Sequence, residues 1–236
     1  MQTILKSDKI AEVVTRNPQL ILVLERLNIF LGVENKTIEE LAIEKELNPE
    51  LVVLLLNMQQ NEHAALSLRL SEADIRTVIS YLTVSHAYFT DELYPVITAD
   101  IDRMVGDKRQ PAMQMLKTFF KEYRKEADAH FDYENRVAFP YMLKLMGDKP
   151  ASSDLQEDYS IEMYRQHHDN IEEKLDDLIQ LLIKYLPHDE NYRIRRQIIL
   201  NINQLDNDLK VHARIEDNVL IPAIEELEKK LDGLNN

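Results

Sequence analysis

Two short stretches of this sequence carry the residue types from which a metal centre can be built. Residues 130–140 read HFDYENRVAFP and residues 212–222 read HARIEDNVLIP. Both follow His-x-x-x-Glu-x-x-Val-x-x-Pro, so a pair of donors and a proline recur at fixed offsets. Residues four apart are neighbours on a helix surface. His130 with Glu134, and His212 with Glu216, can therefore grip one ion or supply a bridging carboxylate. Two lone histidines echo each other more weakly, as His86-x-x-Phe and His168-x-x-Ile, each with Leu seven residues on. Imidazole and carboxylate donors without thiolate suit non-haem iron, and two carboxylates can bridge two ions in a bundle core.

The elements that must position these residues are helices. The 236 residues contain only 4 Gly, and the stretches between them are rich in Leu, Ile, Glu, Lys and Gln, which are mostly good helix formers. Thr37-x-x-Glu40 and Ser153-x-x-Gln156 read as capping boxes and Ser71-x-x-Asp74 is close to one; Asn48-Pro49 and Gln110-Pro111 place Pro in a first helical turn. The chain reads as all-α: an antiparallel up-down four-helix bundle over residues 71–236, preceded by a small helical domain over residues 1–70. The small domain holds four or five short helices, and the long helices cover roughly 72–105, 111–146, 154–186 and 190–232.

Each long segment has an apolar stripe at steps of three and four, and each stripe is interrupted by chemistry. His86 sits in register with Ile79, Leu82, Phe89 and Leu93. His130 and Glu134 interrupt Phe120, Tyr123, Ala127, Val137 and Tyr141. His168 joins Ile161, Tyr164, Ile171 and Leu175, while His212 and Glu216 join Leu205, Leu209, Val219, Ala223 and Leu227. Such a stripe is the face a helix turns inward. With turns near residues 108, 150 and 188, the four histidines lie about 18 to 24 residues from their nearest turns, which puts all of them within roughly one helical turn of a common level. An unpaired buried carboxylate is expensive, so six such residues in one layer point to bound metal: His86, His130, Glu134, His168, His212 and Glu216.

Composition narrows the rest. There is no Cys, which excludes disulfides, thiolate nucleophiles, zinc–thiolate sites and iron–sulfur ligation within this chain. A net charge of −14 disfavours nucleic acid and anionic membrane surfaces. Residues 1–75 carry 7 basic and 12 acidic side chains, so the N-terminal region is expected to dock on a protein partner or on its own chain rather than on DNA. The start lacks the order of a signal peptide, and the longest apolar run, Leu51 to Leu56, is too short to span a bilayer, which leads to the expectation of a cytoplasmic protein.

Here the chain resembles a family. Residues 75–232 look like a hemerythrin-like (HHE cation-binding) domain, and residues 8–57 look like the small N-terminal domain of the iron-centre repair di-iron proteins, in their Bacteroidetes-type form. The resemblance implies two iron ions per chain, oxo- or hydroxo-bridged, with Glu134 and Glu216 bridging and the histidines terminal. It also implies O2 or NO as a small ligand. Two departures stand out. Where repair proteins carry a Cys pair, this chain has Phe30-Leu31-Gly32; where they carry a further His, it has Val105-Gly106-Asp107. One iron is thereby a ligand short. Glu172, one turn after His168, is a candidate substitute or a surface ion-pair partner.

Other residues take smaller parts. His167 is expected to face solvent or support a ligand, with a direct ligand role as the alternative. His63 and His188 fall outside the layer. Tyr164 and Tyr133 can hydrogen-bond a ligand or pack in the core. Pro95, Pro140 and Pro222 are expected to bend their helices. Three functions fit: iron handling or NO reduction in oxidative or nitrosative stress, as in iron–sulfur cluster repair; an O2 or NO sensor signalling through residues 1–70; and iron storage.

Overall fold

The computed structural model describes residues 3–60, 68–106, 111–148, 159–167, 173–186 and 191–234. These residues are all-helical and contain no strand; one isolated bridge joins Lys9 and Thr37. Four short helices come first: α1 (Ile10–Arg16), α2 (Leu20–Arg26), α3 (Ile38–Glu44) and α4 (Pro49–Gln60). The long segments follow as α5 (Glu72–Ala87) and α6 (Tyr94–Val105), α7 (Pro111–Tyr133) and α8 (Phe139–Leu145), α9 (Ile161–His167) and α10 (Glu173–Gln180), and α11 (Tyr192–Ile215) and α12 (Ile221–Leu234). The chain divides into two compact units, residues 1–85, 142–149 and 211–236 in one and residues 86–141 and 150–210 in the other.

In the first unit the short helices start where the sequence says they should. Thr37 accepts from the Glu40 amide at 3.2 Å while the Glu40 carboxylate accepts from the Thr37 amide at 2.8 Å, a complete capping box for α3. Ser71 and Asp74 make the same reciprocal pair ahead of α5, at 3.2 and 2.9 Å. Burial of Leu20, Val23, Leu24, Ile38, Leu51 and Leu55 builds the core of α2, α3 and α4. Three polar ties hold these helices to the rest of the unit. Asn57 clamps both backbone groups of Ile4 at 2.9 Å; Arg26 lies over the Tyr81 ring on α5, 5.5 Å from its centre; Arg214 near the end of α11 donates to the Met58 carbonyl at 3.1 Å.

In the second unit four helical segments share one core. Phe89, Ile97 and Ile101, Leu116, Phe120 and Tyr123, Leu175, Leu178 and Leu182, and Ile198, Ile202 and Leu205 are all buried together. This is the inward stripe read from the sequence. The third segment differs from expectation at Tyr159 and Ser160, which are not helical; the Ser160 hydroxyl accepts from the Met163 amide at 3.4 Å, and α9 begins at Ile161. The expected cap at Ser153 lies outside the described residues.

The three prolines expected to bend their helices stand beside widened turns. Pro95, Pro140 and Pro222 lie in continuous helix, each just after a widened π-turn: Tyr88–Leu93, Glu134–Ala138 and Glu216–Leu220. A π-turn has one extra residue per turn, so the inward face advances by about one position beyond it. That explains why Val137 and Tyr141, expected on the inner stripe, are half-buried while Ala138, Phe139 and Met142 are buried. Beyond Glu216, Val219 is buried as expected, but so are Leu220 and Ile224, while Ala223 and Leu227 are only partly buried.

Candidate metal centre

In the second unit the donors converge on one carboxylate. Glu134, at the first position of its π-turn, is fully buried. Its Oε2 lies 3.2 Å from His86 Nε2, and its Oε1 lies 3.2 Å from His130 Nε2, one helical turn back. The Tyr164 hydroxyl on α9 donates to Oε1 at 2.6 Å. Burial is the largest influence on this carboxyl and opposes its ionisation, but hydrogen bonds and positive charge from His130 and His86 outweigh it and hold Glu134 well below the usual carboxylate range.

His86 is held from behind. Its Nδ1 lies 3.0 Å from Asn135 Oδ1, an acceptor, so Nδ1 carries a proton that it donates there. Phe131 and Phe139 stack on the imidazole at 4.4 and 5.7 Å. In the neutral ring Nε2 then presents a lone pair, and it faces a carboxylate oxygen. Two acceptors 3.2 Å apart need a cation between them, either a proton or a metal ion. A hydrogen bond from the far ring nitrogen is the usual support of a metal-bound imidazole.

The first unit holds the second copy of the motif. His212 and Glu216 are both buried, and His212 Nε2 lies 3.3 Å from Glu216 Oε1. Glu216 opens its π-turn as Glu134 opens the other, so the repeat read in sequence is a repeat in local backbone. Each unit thus holds donors of the types that suit a metal ion: His86, His130 and Glu134 in the second, His212 and Glu216 in the first, all of them buried except His130, about one-tenth exposed.

His168, the sixth expected ligand, lies outside the described residues, as do Glu172, His63, His188 and the side chain of His167. Tyr133 bonds Tyr159 through their hydroxyls at 2.8 Å, and Tyr159 in turn packs on Tyr141. Val105 is buried and Gly106 ends α6 with φ +48°, a conformation that favours glycine. Phe30 and Leu31 are exposed, at 63% and 59%. Sequence reasoning missed Asn135, and with it the stacking of Phe131 and Phe139. One signal was present: the residue after each motif Glu is a side-chain acceptor, Asn135 in one copy and Asp217 in the other.

Residues 159–235 match the family model of the hemerythrin HHE cation binding domain. The match takes in Tyr164, His212 and Glu216; His86, His130 and Glu134 enter through the internal repeat and their own geometry. No curated protein shows significant similarity to the chain. Among the described residues, no helix is long and apolar enough to cross a membrane.

Proposed function

We propose that this chain is a non-haem di-iron protein that handles iron, O2 or NO under oxidative or nitrosative stress, in the manner of iron–sulfur cluster repair. Its two irons take His86, His130, Glu134, His168, His212 and Glu216 as ligands, with the two carboxylates bridging. The observation that carries the reading is the buried Glu134 carboxylate facing His86 Nε2, whose own proton is committed to Asn135. The repeated His-x-x-x-Glu motif and the family match over residues 159–235 support it. When bound, iron would supply redox chemistry and affinity for a diatomic ligand; the protein supplies donors, excludes bulk water and orients His86.

Metal analysis after anaerobic reconstitution tests the stoichiometry. Two irons per chain are expected, and saturation at one would overturn the binuclear reading. NO added to the reduced, iron-loaded protein tests the activity: steady consumption fits stress handling. A second reading, gas sensing with output through residues 1–70, is favoured by the Arg214–Met58 tie, which joins α4 to the turn between His212 and Glu216. Reversible NO uptake without consumption would favour it. An absence of both leaves iron storage.

A further inference from the structure

The described helices contain four π-turns, and the residue closing each one donates across five residues: Tyr94 to the Phe89 carbonyl, Phe139 to Glu134, Leu186 to Leu181 and Ile221 to Glu216. In every case the next residue is proline: Pro95, Pro140, Pro187 and Pro222. The chain has 8 prolines, and two of the other four, Pro49 and Pro111, stand at the first position of α4 and α7. Among the described residues, each proline inside a long helix, Pro95, Pro140 and Pro222, directly follows the residue that closes a π-turn.

The physical link is direct. Proline lacks an amide proton, and its ring clashes with the carbonyl four residues back when the helix is regular. Pro140 would strike the Arg136 carbonyl and Pro222 the Asn218 carbonyl. A widened turn moves those carbonyls aside without breaking the helix. Side chains help to satisfy backbone carbonyls around the widened turns: Thr90 donates to the His86 carbonyl at 3.0 Å, and Asn218 donates to Arg214 at 3.1 Å.

We propose that Pro140 and Pro222 are positioning residues for the metal centre, enforcing the π-turns that begin at Glu134 and Glu216. The proposal rests on the di-iron reading and adds how the ligands are set. The widened turn carries the carboxylate at its start, and on the Pro140 side it also rotates Phe139 inward onto His86. A regular helix would keep His130 and Glu134 one turn apart but advance everything beyond Glu134 by about one residue less, taking Phe139 away from the imidazole. This explains why the motif extends past its ligands: the proline ten residues after each His acts on the Glu six residues before it.

The experiment compares wild type with Pro140→Ala and Pro222→Ala, each as the full chain. Structures of the metal-free variants should show regular helix, with the Phe139 amide donating to the Asn135 carbonyl in the first and Ile221 to Asp217 in the second. Their thermal stability should equal or exceed that of wild type, since alanine is the better helix former. Anaerobic Fe(II) titration should show affinity reduced about tenfold or more. Persistence of the π-turns in both variants would overturn the proposal, as would regular helix with wild-type Fe(II) affinity. Unfolding of both variants would also overturn it, because the prolines would then serve the fold and not the site. If wild type itself binds no Fe(II), the di-iron reading fails instead, and the structural arm alone decides whether proline enforces the turn.

Discussion

At the scale of single residues, Glu134 shows what the site demands of its neighbours. A buried carboxylate survives only with partners, and this one has two imidazoles and a phenol within 3.2 Å. Because its carboxyl is held well below the ordinary value of 4.5, its interaction with the histidines is fully present above about that pH and is lost as the pH falls through the lowered value. Metal-free wild type should therefore lose stability more steeply under acid than Glu134→Gln, as measured by urea denaturation over a pH series. Equal slopes would mean that the carboxylate and imidazoles do not interact. Tyr164 offers a separate check. Removing its hydroxyl with Tyr164→Phe should destabilise the metal-free protein by about 2 kcal/mol, the cost of a buried hydrogen bond to a charged acceptor. A change below about 0.5 kcal/mol would return Tyr164 to plain packing.

At the scale of elements, what the sequence made legible and what it hid have distinct physical causes. Capping is local chemistry, so Thr37–Glu40 and Ser71–Asp74 could be read directly, and both are present. Periodicity gave the inward stripe of α6, α7, α10 and α11 because burial selects apolar types at helical spacing. The π-turns defeated it. A helical template assumes constant pitch, so it misplaces Val137 and Tyr141 beyond Glu134, and Ala223 and Leu227 beyond Glu216, while Val219 is buried as expected. Asn135 was hidden for a similar reason, since it stands beside the stripe rather than on it. The capping pair before α5 has its own consequence, because that helix carries His86 in its last turn. Ser71→Ala should lower stability by about 1 kcal/mol in urea denaturation. No measurable change would mean that α5 is fixed by its packing alone.

At the scale of the whole molecule, the two halves of the donor set lie in different compact units, His86, His130 and Glu134 in one and His212 and Glu216 in the other. If both sets serve one centre, ion binding must link the stability of the two. An ion that binds only the folded chain stabilises it by RT ln(1 + [L]/Kd), about 2.7 kcal/mol at one hundred times Kd. For a chain of 236 residues that corresponds to a rise in melting temperature of roughly 5–10 °C. Anaerobic Fe(II) should produce such a rise in wild type, and a chelator should reverse it. The informative comparison is between Glu134→Ala and Glu216→Ala. In a shared binuclear centre each carboxylate holds both ions, so either variant alone should abolish most of the iron-induced rise and cut iron well below two per chain. With independent sites, each variant would keep about half the iron and half the rise. The first pattern requires that the repeat built one centre from two motifs; the second would mean that each His-x-x-x-Glu pair binds for itself within its own unit.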